Sequence, residues 1–481
     1  GLLETAEGQK LEILSPGRWN LEGGPDFQFG KLKFWSDKDK ALCEKIIVGD
    51  IEAHVLASSW KTHGHNKDKA YDRVILHVFL YRNNPGEPAL NSSGLEVPQL
   101  ELLPLLSLPL PDLRKQIRQY EYPFKNPGSR GKCYEILHSL SSEKLAALLD
   151  HFGDIRFIDK SAEFSHLFPN IERDGNSQNA AQAREQLVYK LIMEAMGIRN
   201  NRLQFTRLAS LFDEVKVRKL LNSQPSSKRL NVLESTLVNL AGFLPNWTTM
   251  SELDRDSKLY LARLQRDISA RDKNAKNEAA FYKSIAEMEA AGEHLGKEWQ
   301  FRGMRPANYP VRRIVGMSHL LVNCLPAGIF AAVQKILEEN DAFPAPVLAA
   351  LIKMFKERSP SYWNYRYTFN GKKLPGSVAL VGKDKMLVIL INVILPLYFA
   401  QAWLNWDITL GRKIYLLWCR IPNQAIHNVH RYMQTRLLGN AHEKWKIIHS
   451  SRRQQALIHI YQSYCQSAEK SCQDCEFLLR I

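Results

Sequence analysis

Val48-Gly49-Asp50-Ile51-Glu52-Ala53-His54-Val55 decides how this chain is read. In an extended strand successive side chains alternate faces, so Asp50, Glu52 and His54 project together while Ile51, Ala53 and Val55 form an opposite, apolar face. Two carboxylates on one face repel unless a cation or a donor lies between them, and a strand that merely faced water would more usually carry Thr, Lys or Ser. Upstream, Gly23-Gly24-Pro25-Asp26-Phe27 is a turn from which Asp26 reaches the same face from the neighbouring strand. Asp26, Asp50, Glu52 and His54 are therefore the candidate catalytic residues. Asp26 and Glu52 are the candidate ligands of a hard cation, Mg²⁺ or Mn²⁺, which favours carboxylates, carbonyls and water.

Around this segment lie short β-like runs: Leu11 to Leu14, Gly30 to Trp35, Lys45 to Val55, Val74 to Tyr81 and Leu95 to Leu106. Ser58 to Asp72 is polar and suits a helix capped by Ser58 or Ser59. The expected class is α+β: a small mixed-sheet domain over residues 1–125, then a larger, mainly helical domain over 126–481 that is one body or two. The Pro/Gly/Ser/Lys stretch Pro123 to Gly131 reads as the linker. Helical periodicity is expected in Ser142 to Phe152, Ala180 to Met196, Lys228 to Phe243, Leu253 to Ser269, Lys276 to Leu295, Arg312 to Leu325, Ile329 to Asn340 and Gln455 to Cys465.

Four of the fourteen histidines, His54, His63, His65 and His77, fall within this strand–helix–strand stretch. Positions 63 and 65 do not share a helical face, but on a loop or a helix start both reach the strand face. His63, His65 and His77 are accordingly auxiliary candidates; the alternative is backbone bridging for the first two and a core role for His77.

Pro25-Asp26 followed, after 25 intervening residues, by Glu52-Ala53-His54 resembles the restriction-endonuclease-like PD-(D/E)xK superfamily. That resemblance implies metal binding by Asp26 and Glu52, and a lysine that positions or activates water where this chain has His54. A resemblance over more of the chain is carried by Gly24-Pro25-Asp26-Phe27, Gly49-Asp50-Ile51-Glu52-Ala53-His54, Ser59-Trp60, His63-Gly64-His65, Asp68, Tyr71, Val74-Ile75-Leu76-His77-Val78, Arg305-Pro306-Ala307-Asn308-Tyr309-Pro310 and the C-terminal cysteines. These are similar to a bacterial family catalogued only as a domain of unknown function. Its members usually carry further N-terminal residues of helical character, so an N-terminal truncation is expected.

The composition, 45% hydrophobic and 24% charged, excludes disordered and collagen-like classes. The net charge of +15 is unevenly placed. Residues 1–130 hold seventeen basic and seventeen acidic side chains, so the whole excess lies beyond them and points to a polyanionic partner, DNA or RNA. The expected backbone contacts are Arg302, Arg305, Asn308, Arg312 and Arg313, where arginine forks meet a helix opened by Pro310. Tyr362, Trp363, Tyr365, Arg366 and Tyr367 form an aromatic-basic run suited to stacking on bases or to packing.

Seven cysteines in 481 residues do not read as a secreted disulfide framework, and the default compartment is cytoplasmic. Cys465, Cys472 and Cys475 resemble the first three ligands of an endonuclease III-type iron–sulfur motif. The fourth position is Ile481, so Zn²⁺ or a cluster there requires His459, Cys419 or Cys133. Met386 to Trp406 carries no charge over 21 residues, but Asn392, Pro396, Gln401 and Asn405 favour a buried helix broken near Pro396 over a membrane span. The function expected from these features is a metal-dependent nuclease. The alternatives are a non-catalytic nucleic-acid-binding protein with a degenerate site, a scaffold or assembly protein, and a different metal hydrolase built on His63 and His65.

Overall fold

The computed structural model describes residues 2–20, 24–38, 41–116, 131–168, 177–198, 201–244, 252–273, 285, 288, 295–301, 304–339, 344–439, 442–465 and 475–481. Most of the expected linker and most of the expected helix Lys276 to Leu295 lie outside these residues. The class is α+β. Two compact units divide the chain: 1–152 with 426–447 and 456–481, and 153–425 with 448–455.

The first unit is built on β1 (Leu3–Glu4), β2 (Lys10–Ser15), β3 (Arg18–Trp19), β4 (Phe27–Lys38), β5 (Ala41–Leu56), β6 (Val74–Tyr81), β7 (Ala89–Leu90), β8 (Glu96–Val97) and β9 (Gln99–Glu101). The main sheet runs β1-β2-β4-β5-β6-β9, with β3 also paired to β4. Strands β4 and β5 form a long antiparallel hairpin, whereas β5/β6 and β6/β9 are parallel. A parallel pair needs a crossover between its strands, and here residues 57–73 supply it. Leu11, Leu32, Phe34, Ile51, Leu76 and Leu100 pack as one buried cluster on this sheet. The Leu95–Leu106 run is not one strand. Pro98, which has no N–H to donate, separates β8 from β9, and a 3₁₀ turn follows at Leu103–Leu105.

The crossover also differs from the single helix the sequence suggests. Ser59–Thr62 is one helical turn, followed by 3₁₀ turns at His65–Lys67 and Lys69–Tyr71. Gly64 interrupts it at φ +75°, a left-handed conformation that continues no helix. Ser58 makes no side-chain cap; its hydroxyl accepts from the Asn83 amide at 2.8 Å instead. Trp60 pins the turn down, 3% exposed, with its indole N–H donating to the Leu90 carbonyl at 2.7 Å.

The second unit is helical. Ser177–Met196, Arg229–Leu240, Pro310–Asn323, Ile329–Glu339 and Ile408–Arg420 contribute Tyr189, Leu233, Met317, Val333 and Trp418 to one continuous core. Observed helices lie on the stretches expected at Ala180 to Met196, Lys228 to Phe243, Leu253 to Ser269, Arg312 to Leu325 and Ile329 to Asn340. The apolar helix Lys383–Leu404 is long enough by composition to cross a membrane, yet 72% of its most apolar window is buried inside the protein. It is not broken near Pro396. The turn Leu390–Ile394 is a π-helix, whose wider hydrogen bonding accommodates the missing proline N–H, and α-helix resumes at Leu395.

Candidate metal centre

Strand β5 presents Glu52 and His54 from one side, and the crossover returns His63 and His65 to meet them. His54 Nε2 lies 3.4 Å from Glu52 Oε1, 3.0 Å from His63 Nδ1 and 3.3 Å from His65 Nε2. His65 Nε2 is also 3.3 Å from Glu52 Oε1. The ligating nitrogens of the three histidines all fall within 4.8 Å of one another. Four ligands at 2.0–2.1 Å around a tetrahedral ion stand about 3.3–3.4 Å apart; the three separations among Glu52, His54 and His65 match such edges, whereas His63, 3.0 Å from His54, departs from them. Gly64 makes this possible: by reversing the chain between His63 and His65 it points both rings to one place, which a continuous helix would not do.

The outer contacts hold the rings. His54 Nδ1 lies 3.0 Å from His77 Nε2. His77 is fully buried, and that burial pushes its imidazole down to about 4 against the pull of neighbouring Gln99, with the nearby His65 charge adding to the fall. A neutral His77 that accepts at Nε2 keeps the His54 proton on Nδ1 and leaves the Nε2 lone pair facing the centre. His65 packs against Tyr71 with ring centroids 3.7 Å apart, and Trp60 lies at 5.3 Å. The side chains of Glu52, His54 and His65 are each at most 7% exposed, whereas His63 is exposed and marks the open side.

Asp26 and Asp50 serve the same strand differently. The Asp26 N–H donates to Glu52 Oε2 at 2.9 Å, and the Ala53 N–H donates to Asp26 Oδ2 at 3.1 Å. Asn20 braces the turn by donating to the Pro25 carbonyl, and Gly24 supplies its φ of +103°. Partial burial, then the Glu52 charge, raise the Asp26 carboxyl above the usual range; the Ala53 hydrogen bond and the His65 charge oppose this. Asp50 Oδ1 accepts the N–H of Phe29 at 3.1 Å, where the β4/β5 register shifts and Phe29 adopts φ +58°. One Asp50 oxygen is thus committed to a bulge.

The alternation expected of β5 holds for direction but not for burial. Asp50 and Glu52 are buried with Ile51, whereas Ala53 and Val55, expected on the apolar face, are exposed, Val55 by 63%. The carboxylates go inward because neighbouring backbone N–H groups and imidazoles receive them. Tyr71 and Trp60, which support the rings, stand in the sequence only as part of the family resemblance, with no signal of this packing role.

Two of the five residues expected as backbone contacts, Arg312 and Arg313, are turned inward. Arg312 is 0% exposed and Arg313 4%. Arg312 donates to the carbonyls of Trp363, Arg366, Val378 and Ala379, and Arg313 to the Leu380 carbonyl and Asn308 Oδ1. A guanidinium's fixed fork of donors satisfies the carbonyls of an irregular loop, and that is what these two do. Arg302 lies outside the described residues, and Arg305 remains exposed. In the aromatic run, Trp363 and Arg366 are buried, and Tyr362 stacks on Tyr260 at 4.4 Å. Of the C-terminal cysteines, Cys472 lies outside the described residues, while Cys465 and Cys475 are partly exposed.

Residues 1–425 match the family model described as "Protein of unknown function (DUF2851)", and the chain belongs to that family. No curated protein and no solved structure matches it.

Proposed function

We propose that the first unit is a metal-dependent phosphodiesterase of nuclease type, with Glu52, His54, His63 and His65 holding a divalent transition ion and Asp26 accepting a proton from the attacking water. The observation that carries this reading is the convergence of Glu52 Oε1, His54 Nε2 and His65 Nε2 at 3.3–3.4 Å, with His63 Nδ1 on the open side. Three imidazoles and one carboxylate suit Zn²⁺ or Mn²⁺ better than Mg²⁺, which prefers an all-oxygen shell. Such an ion activates water and neutralises phosphate charge. Asp26, tied to the Glu52 strand and with its carboxyl raised above the usual range by burial, is the carboxylate we assign to general base work. The phosphodiester assignment is supported by the Asp26…Glu52-Ala53-His54 spacing, by its setting on a hairpin followed by a crossover and a parallel strand, and by the net charge of +15.

A second reading, nucleic-acid binding without cleavage, is favoured by His54 at the position where the resembling superfamily has lysine. One experiment separates the two: labelled single- and double-stranded DNA and RNA are incubated with metal-loaded wild type, Glu52→Ala and His65→Ala. Cleavage by wild type alone is the expected result. Cleavage that persists in both variants rejects the site, and salt-dependent binding with no cleavage of any substrate establishes the second reading.

A further inference from the structure

In the second unit, the turn between helices Leu395–Leu404 and Ile408–Arg420 puts three large apolar side chains into solvent. Trp403 is 69% exposed, Trp406 86% and Ile408 80%. Their placement is fixed by the backbone. The Trp406 N–H donates to the Trp403 carbonyl at 3.2 Å, and the Asp407 N–H to the Ala402 carbonyl at 2.9 Å. Asp407 Oδ1 accepts the Leu410 N–H at 2.9 Å and so caps the second helix. Trp406 itself holds φ +55°, a left-handed conformation that is costly for any residue with a Cβ. Its exposed indole gains no burial within the chain that would offset this cost.

The helix that follows continues the surface. Leu410, Ile414, Leu417 and Trp418 are its buried face. Ile408, Arg412, Leu416 and Arg420, four residues apart and all exposed, form an outer stripe. Ile408 and Leu416 are aliphatic where a water-facing stripe carries polar residues. The helix holds the cations Arg412, Lys413 and Arg420 and no acid. Asp407 is committed to the cap, and on the adjoining helix Ile329–Glu339, whose Glu338 carbonyl accepts from Lys413 at 3.4 Å, Glu339 is paired with Lys335. This combination of charge and apolar surface selects a partner. A second copy docked about a twofold axis would set these cations against their own kind. The bases of a nucleic acid stack on indoles but gain nothing from Ile408 and Leu416. An anionic bilayer surface uses every group: indoles settle at headgroup level, aliphatic side chains reach the acyl boundary and arginines meet lipid phosphates.

We infer that the Trp403–Ile408 turn and the outer stripe of helix Ile408–Arg420 dock on an anionic lipid bilayer surface. The attachment is interfacial and not a span, because the apolar helix that ends at this turn keeps most of its length inside the protein. The inference goes beyond the metal-centre reading and does not depend on it.

The test is co-sedimentation of the intact chain with vesicles of phosphatidylcholine, alone or with about one-third phosphatidylglycerol. Wild type is expected to bind the anionic vesicles about tenfold or more tightly than the neutral ones, with the difference shrinking as salt rises. The double variant Trp403→Ser with Trp406→Asn, in which asparagine tolerates the left-handed φ, should lower that binding about tenfold or more, and Arg412→Glu should also weaken it. Melting temperatures should stay within a few degrees of wild type, because exposed side chains carry little of the stability. Brominated lipids should quench tryptophan fluorescence in wild type more than in the double variant. Absence of binding to anionic vesicles, or equal binding by wild type and both variants, overturns the inference. It is also overturned if the double variant loses self-association or oligonucleotide binding while vesicle binding persists, which would assign the face to a second copy or to nucleic acid.

Discussion

Asp26 and Glu52 are cross-tied: the backbone N–H of Asp26 donates to the Glu52 carboxylate, and the Asp26 carboxylate accepts from Ala53, the residue after Glu52. Each carboxylate therefore fixes the strand that carries the other. Asp26→Asn keeps a side-chain oxygen for Ala53 but removes the proton acceptor. It is expected to retain metal content and melting temperature within a few degrees while losing about 100-fold or more in hydrolysis, the scale of general base contributions. Loss of metal along with activity would place Asp26 among the ligands instead.

His77 is fully buried with its Nε2 3.0 Å from His54 Nδ1, so its effect on the proposed centre runs through His54. Replacing it with Phe removes the acceptor that fixes the His54 proton, and metal affinity should fall about 10- to 100-fold. His77→Gln, whose side-chain oxygen also accepts, should restore part of that loss. Competition with a chromophoric chelator measures both; unchanged affinity in the Phe variant would refute the tautomer role.

Gly64 tests the turn that brings the histidines together. A Cβ there meets nothing within 4 Å, so substitution is opposed by its φ of +75° rather than by crowding. Gly64→Ala should cost about 1 kcal/mol, Gly64→Val more, and Gly64→Asn less, because asparagine tolerates the left-handed region. Metal affinity should follow the same order. Equal affinity in all three variants would show that His63 and His65 find the centre without this turn.

Arg312 is expected to matter for folding rather than for binding. Arg312→Met strands carbonyls of the 363–379 loop and should destabilise the chain by about 3 kcal/mol or more, read by urea denaturation. The salt dependence of any nucleic-acid binding should not change. A shallower salt slope at unchanged stability would return Arg312 to a phosphate-contact role.

Lys385 gives a pH dependence with a definite sign. Burial, reinforced by Arg313 and Arg202, lowers its ammonium to about 7, against about 10.4 for an unfolded lysine. Between these values the unfolded state binds more protons, so unfolding free energy rises with pH. The contribution is complete above the unfolded value and is lost as pH falls through about 7. Lys385→Met should flatten the slope of stability between pH 7 and 9 and be the more stable protein at pH 6.5. An unchanged slope would refute the shift.

The sequence by itself determined the α+β class, the strand that carries Glu52 and His54, and most helices of the second unit, because period-two and period-3.6 patterns are local and survive without knowledge of partners. It also marked the residues that gather around Glu52, naming the carboxylates Asp26 and Glu52 as candidate ligands and His63 and His65 as auxiliaries. Only the tertiary structure shows that the His63 and His65 rings converge on Glu52 and His54. Whether two histidines flanking a glycine diverge or converge depends on one left-handed φ at Gly64 and on the Trp60 anchor that sets where the turn sits. The same limit explains Arg312 and Arg313, which read as a phosphate fork in sequence. Arginine's donors fit a phosphate and a set of backbone carbonyls equally well, and burial at 0% and 4% decided between them.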